Sequence, residues 1–175
     1  MKIDRNVPKL NWWLAVCFTA AFSMSVMAQA SDKTVVLAGK ELAQTIPSGF
    51  YFEGQSAPTQ VRNSAAARFG DNRYVVVGLV DTSGYSTEIS GKYEGFFITD
   101  APIVLGGEKL STGAYGFGFS ADRKLNIFDI SGKKILSAST KTDSGLSRPR
   151  PLNLLLDSGE LRFYKGRTFA VIKSK

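Results

Sequence analysis

From residue 31 onward, short apolar, aromatic and β-branched runs alternate with clusters of turn-forming residues, a rhythm that predicts an all-β fold. Strands are expected over Thr34–Ala38, Gly49–Glu53, Ala65–Phe69, Arg73–Val80, Lys92–Thr99, Ile103–Leu105, Ala114–Phe119, Leu125–Ile130, Lys134–Thr140, Leu152–Leu156, Leu161–Tyr164 and Thr168–Ile172. Between them lie Gly70-Asp71-Asn72, Ala121-Asp122-Arg123, Ser131-Gly132 and Asp157-Ser158-Gly159. These residues tolerate positive φ or bond their own backbone, so hairpins are expected there. The best 3.6-residue period in this region is one short piece, Gly39–Ala43. The expected architecture is a single β-sandwich of antiparallel strands, with a small closed β-barrel as the alternative.

Two strands carry more detail. In Ala114–Phe119 the rings of Tyr115, Phe117 and Phe119 fall on one face, and Ala114, Gly116 and Gly118 on the other. Glycines leave room on that face for a bulky neighbour, another backbone or a ligand; a large side chain from a facing sheet is the expectation. Arg73–Val80 is a nearly continuous apolar run, as a central strand buried on both faces requires. Ile46–Phe52 also echoes Leu110–Gly116, with an apolar residue, two small ones, a glycine and then aromatics. That echo suits two similar half-domains or two sheets.

The first thirty residues differ in kind. Lys2, Arg5 and Lys9 precede an apolar stretch from Leu10 to Ala28, followed by Ala28-Gln29-Ala30. This is the layout of a signal peptide cleaved before Ser31. The apolar stretch exceeds the usual 7–15 residues or so of such a peptide, which keeps an uncleaved membrane anchor open. The expected organisation is residues 1–30 as leader and 31–175 as one β-rich domain, placed in the periplasm or the extracellular space.

Removing the leader takes away the only cysteine, Cys17, and both tryptophans. None of the 175 residues is histidine. Ser-His-Asp and Cys-His catalysis then lack their base or nucleophile. Zinc, copper, haem and iron–sulfur sites lack their usual ligands. No cofactor or metal is expected. Leu154–Gly159 matches the apolar-Asp-Ser-Gly element of retroviral-type aspartic proteases only in outline, because sixteen residues follow it, and it reads as a turn. A carboxylate hydrolase using Glu53, Asp81, Glu88 or Glu94 stays open, although no spacing singles out a pair.

Charge is unevenly distributed. Residues 31–122 hold seven Lys/Arg against ten Asp/Glu, and residues 123–175 hold twelve against four. A basic last third suits an anionic partner such as an envelope glycan or another polyanion; it equally suits a solvated surface facing its own acidic half. Specific nucleic-acid binding is not expected, and membrane attachment follows only if the leader is retained.

The first candidate binding surface is a polar loop, Gln55–Asn63, with Gln55, Thr59, Gln60, Arg62 and Asn63, followed by Arg68. Amides, hydroxyls and arginine forks recognise sugars and carboxylates, and the same residue types satisfy their own loop backbone. The turn Asp81–Ser86, with Asp81 and Tyr85, is expected beside it. Arg148-Pro149-Arg150-Pro151 is the second candidate: its prolines hold it extended while Arg148 and Arg150 project to meet an anionic surface. The same composition suits a stiff linker between strands, which is the default expectation.

Ile103–Tyr115, an apolar strand followed by Gly-Gly-x-x-Leu-x-x-Gly-x-Tyr, resembles a recurring element of uncharacterised exported bacterial β-sandwich proteins. The resemblance implies the fold and export, and brings no activity or site residues. A non-catalytic module binding a polar or anionic envelope component, or serving a structural role, is therefore expected. A small outer-membrane barrel or a carboxylate hydrolase are the alternatives.

Overall fold

The computed structural model describes residues 33–70 and 72–174. The expected leader lies outside the described residues, as does Asp71 in the turn Gly70-Asp71-Asn72. The strands are β1 (Val35–Val36), β2 (Gly49–Phe52), β3 (Gln55–Phe69), β4 (Arg73–Val80), β5 (Gly95–Thr99), β6 (Ile103–Leu105) and β7 (Glu108–Leu110). They continue with β8 (Gly113–Phe119), β9 (Lys124–Phe128), β10 (Lys134–Ser139), β11 (Lys141–Thr142), β12 (Arg150–Asp157), β13 (Glu160–Gly166) and β14 (Thr168–Ser174). Two short helices, α1 (Gly39–Thr45) and α2 (Thr87–Lys92), interrupt them.

The first sheet runs β1-β3-β4-β5-β8-β9-β10, with β2 attached to β3. The second runs β12-β13-β14-β6-β7, with β11 attached to β14. Pairing is antiparallel throughout and both sheets have free ends, so the fold is a β-sandwich and not the closed barrel held as its alternative. The sheets align edge to edge: β12 lies against β1 and β3, and β7 against β10.

Two apolar cores follow from strand alternation. Between the sheets, Val75, Val77, Phe97, Phe117 and Ile127 meet Leu105, Leu154, Phe163 and Ile172. On the opposite face of the first sheet, Phe50, Phe52, Val76, Phe96 and Phe128 pack with Leu37, Ile89 and Tyr93. A layer made of β2, α1 and α2 covers that face. This burial on both sides explains the unbroken apolar run of β4.

The expected glycine face of β8 is filled by the protein itself. A Cβ on Gly116 would stand 2.5 Å from the Phe52 ring, and one on Gly118 would meet the Lys92 carbonyl. The filler comes from β2 and the end of α2, not from the facing sheet. Phe52 stacks on Tyr93 at 4.0 Å between centroids, and both are fully buried. The echo between Ile46–Phe52 and Leu110–Gly116 therefore marks two strands of one sheet that pack on each other, β2 over β8, and not two half-domains.

Four expectations are corrected. Gln55–Asn63 is strand, not loop: it forms the first part of the 15-residue β3. Glu53 and Gly54 both take positive φ and close a two-residue hairpin, pairing Phe52 with Gln55. Glu at such a position gives no sequence cue. The strand expected from Lys92 starts at Gly95, because Thr87–Lys92 is helical. Ser86 caps that helix, its hydroxyl accepting from Ile89 N–H at 3.4 Å. The strand expected over Leu152–Leu156 begins earlier, at Arg150. Finally, Glu108–Leu110, outside the expected strands, is the short strand β7, paired with β6 across Gly106-Gly107.

Candidate functional site

The structure divides the predicted site residues into four places. Gln60 and Asn63 sit in a wide bulge, where Thr59 pairs with Val80 and Ser64 with Gly78. Gln60 Nε2 donates to the Val80 carbonyl at 3.1 Å, Asn63 Nδ2 donates to Gln60 Oε1 at 2.8 Å, and Ser64 Oγ donates to the Gln60 carbonyl at 3.0 Å. These amides hold their own backbone. Thr59 is half-buried and Arg62 is exposed at the bulge.

Arg68 lies further along β3, opposite Val35, and its guanidinium is 3.7 Å from Glu41 of α1. It does not join the bulge residues.

Gln55, Asp81 and Tyr85 do come together. They line a hollow of about 230 Å³ with Ser56, Pro58 and Ser83. Asp81 N–H donates to the Pro58 carbonyl at 2.9 Å, which fixes the turn against β3. Ser83 N–H donates to Asp81 Oδ1 at 3.0 Å, and bonds from Ser83 hold the Asp81 carboxyl below its usual range. Burial pushes the Tyr85 phenol up, and its hydroxyl reaches the Gln55 carbonyl at 3.5 Å. The turn's polar groups are thus engaged in closing the turn.

Arg148 and Arg150 stand at the rim of a larger cleft, about 540 Å³, at the seam where β1 and β3 face β12. Its walls carry Ser64, Ser147 and Asn153, and its floor Val36, Leu37, Leu42, Leu146 and Leu155; no carboxylate of the described residues lines it. Neither guanidinium has a hydrogen bond or ion pair among the described residues, and both residues are exposed. The approach to them is braced from β14's leading turn: Arg167 Nη1 donates to the Ser144 and Leu146 carbonyls at 3.1 and 2.6 Å. Pro149 and Pro151 fix φ on either side of Arg150.

Two other hollows are electrostatically quieter. One of about 370 Å³ has Lys173 paired with Glu160 at 3.5 Å, leaving Lys141 unpaired. One of about 550 Å³ has Lys165 paired with Glu94, leaving Arg123 unpaired. Compared with these three hollows, the seam cleft gathers two cations that are unpaired among the described residues.

The carboxylates considered for hydrolysis are engaged separately. Glu53 pairs with Lys92 at 2.7 Å, Glu94 with Lys165 and Asp81 with its own turn, while Glu88 is exposed on the first turn of α2. No group of three or more His, Cys, Asp or Glu suited to a metal ion occurs among the described residues. No described helix is long and apolar enough to cross a membrane.

Sequence reasoning found the arginines of the cleft and missed its floor. Val36, Leu37 and Leu42 meet Leu146 and Leu155 only because β1 and β12, over a hundred residues apart, close the same edge. No family model, curated protein or solved structure matches the chain.

Proposed function

We propose that this chain is an exported, non-catalytic β-sandwich module that binds an anionic component of the cell envelope through the seam cleft. The observation that carries the reading is the pair of Arg148 and Arg150 side chains on a cleft where, among the described residues, neither has a partner and no carboxylate lines the wall. Two arginines on a backbone stiffened by Pro149 and Pro151 and braced by Arg167 offer guanidinium forks to carboxylate, sulfate or phosphate. Export is supported by the three-zone N-terminus. The absence of histidine, and the separate engagement of the acidic side chains, favour binding over chemistry.

The test is retention of the protein, recovered from expressing cells, on immobilised dextran sulfate over a salt gradient. Retention should fall with salt, and the double variant Arg148→Ala/Arg150→Ala should elute much earlier. Arg62→Ala/Arg68→Ala should elute with the wild type or only slightly before it, although it removes the same formal charge. Equal losses in the two double variants would mean that net charge, not the cleft, governs retention, and would overturn the reading.

A further inference from the structure

The seam cleft has a second property that anion binding alone does not require. Its floor is apolar and continuous with both cores of the molecule. Leu37 belongs to the outer core, with Leu42 packed against it, while Ala65 and Leu154 belong to the core between the sheets. Leu155 from β12 and Leu146 from the preceding loop are half-buried along the same floor. A volume of about 540 Å³ is within the roughly 300–1,000 Å³ typical of small-molecule sites. An inorganic anion or a sugar chain would engage the rim and leave this floor in water. Cations at one edge and hydrocarbon beneath match a ligand divided in the same way.

We infer that the seam cleft takes a free, single-chain anionic amphiphile of the fatty-acid class. Its carboxylate is held by Arg148 and Arg150, and its alkyl chain lies along Leu42, Leu146 and Leu155. The inference rests on the anion-binding reading above and narrows its ligand. Uncharged polar groups on the wall, Asn153 and Ser147, can donate to the second carboxylate oxygen without adding a repelling charge. Burial of each methylene tightens binding by about fourfold when it is complete. Four added methylenes should therefore strengthen binding by tenfold or more, even in an open cleft.

The experiment is calorimetric titration of the intact protein with octanoate, dodecanoate and dodecyl maltoside, each below its micelle threshold. Dodecanoate should saturate at one per chain and bind at least tenfold tighter than octanoate. Dodecyl maltoside, with the same tail and a neutral head, should bind at least tenfold more weakly than dodecanoate. Arg148→Ala/Arg150→Ala should weaken dodecanoate tenfold or more, and Leu155→Ser should flatten the chain-length dependence while leaving dextran sulfate retention intact. A wild-type thermal midpoint shows that each variant is folded. Equal affinity for octanoate and dodecanoate, equal affinity for dodecanoate and the maltoside, or no binding of any, overturns the inference. If Arg-dependent retention on dextran sulfate persists in that case, the anion-binding reading stands by itself; if retention is also absent, both fall.

Discussion

The hydroxyl of Tyr115 folds back over Gly113: it donates to the Ser111 carbonyl at 3.0 Å and lies 2.7 Å from where a Cβ on Gly113 would stand. The chain crosses here from the second sheet, which it leaves at the end of β7, to the first, which it joins at β8. A second contact to the Thr112 carbonyl at 3.3 Å closes the corner. The spacing Leu-x-x-Gly-x-Tyr in this segment thus has a mechanical reason. Leucine anchors the last residue of β7 in the core, glycine makes room for the ring, and tyrosine satisfies the carbonyls of the connection.

Tyr115→Phe should therefore cost about 1 kcal/mol, the net worth of one neutral hydrogen bond. Gly113→Ala should cost roughly 1–3 kcal/mol by displacing the ring. The double variant should lose less than the sum, because a displaced ring has already lost the bonds that phenylalanine lacks. Urea unfolding of the three variants measures the coupling. Strict additivity would mean that the hydroxyl and the glycine act independently.

Gly118→Ala should be more damaging than any change at an exposed glycine. Its Cβ would meet the Lys92 carbonyl, a backbone atom that cannot rotate away, so β8 or the end of α2 must shift. Overpacking of this kind costs about 3 kcal/mol or more. Gly145→Ala, with nothing nearer than 3.5 Å, should stay within about 0.5 kcal/mol of the wild type. Denaturation midpoints of the two variants, compared at a common slope, decide the matter.

What was legible in the sequence was what period and turn chemistry can carry. The β4 run, the ring face of β8 and the turns Ser131-Gly132 and Asp157-Ser158-Gly159 are local features, and each is where the pattern put it. Other features depend on contacts distant in sequence or on unusual turn residues. The hairpin at Glu53-Gly54 uses a glutamate at φ 47°, and missing it turned half of β3 into an apparent loop. The six residues of α2 span fewer than two turns, too few for a 3.6 period. The second core arises because β2 folds over the outer face of the first sheet, which no single strand's alternation reveals. For the candidate site, exposed arginines between prolines were visible, whereas the apolar floor depends on which edges meet.

The bulge in β3 yields a control as well as a prediction. Gln60 bridges Val80 and Asn63, so Gln60→Ala should destabilise by about 0.5–1.5 kcal/mol. It should leave dextran sulfate retention unchanged at temperatures where the variant is folded. Reduced retention in a folded Gln60→Ala protein would bring the bulge back into the binding surface.

Tyr93 should give the fold an alkaline limit. It is fully buried, and burial, with the neighbouring Tyr85 hydroxyl adding to it, pushes its phenol far above the ordinary range. In the unfolded chain the group titrates near its usual value of about 10. Below that pH both states are protonated and the contribution to stability is complete. As pH rises above about 10, the unfolded chain releases a proton that the folded chain retains, so unfolding is favoured progressively up to the folded-state value. Urea midpoints from about pH 8 to 11.5 should fall steeply for the wild type above pH 10. For Tyr93→Phe the fall should be shallower, by at most about 1.4 kcal/mol per pH unit. The Tyr93 hydroxyl is buried beside the Tyr85 hydroxyl, so at pH 7 the phenylalanine variant should stay within about 1.5 kcal/mol of the wild type. Lysine titration is common to both proteins and cancels in the comparison. Parallel curves above pH 10 would shift the alkaline limit from Tyr93 to the other phenols raised by burial, Tyr85, Tyr115 and Tyr164.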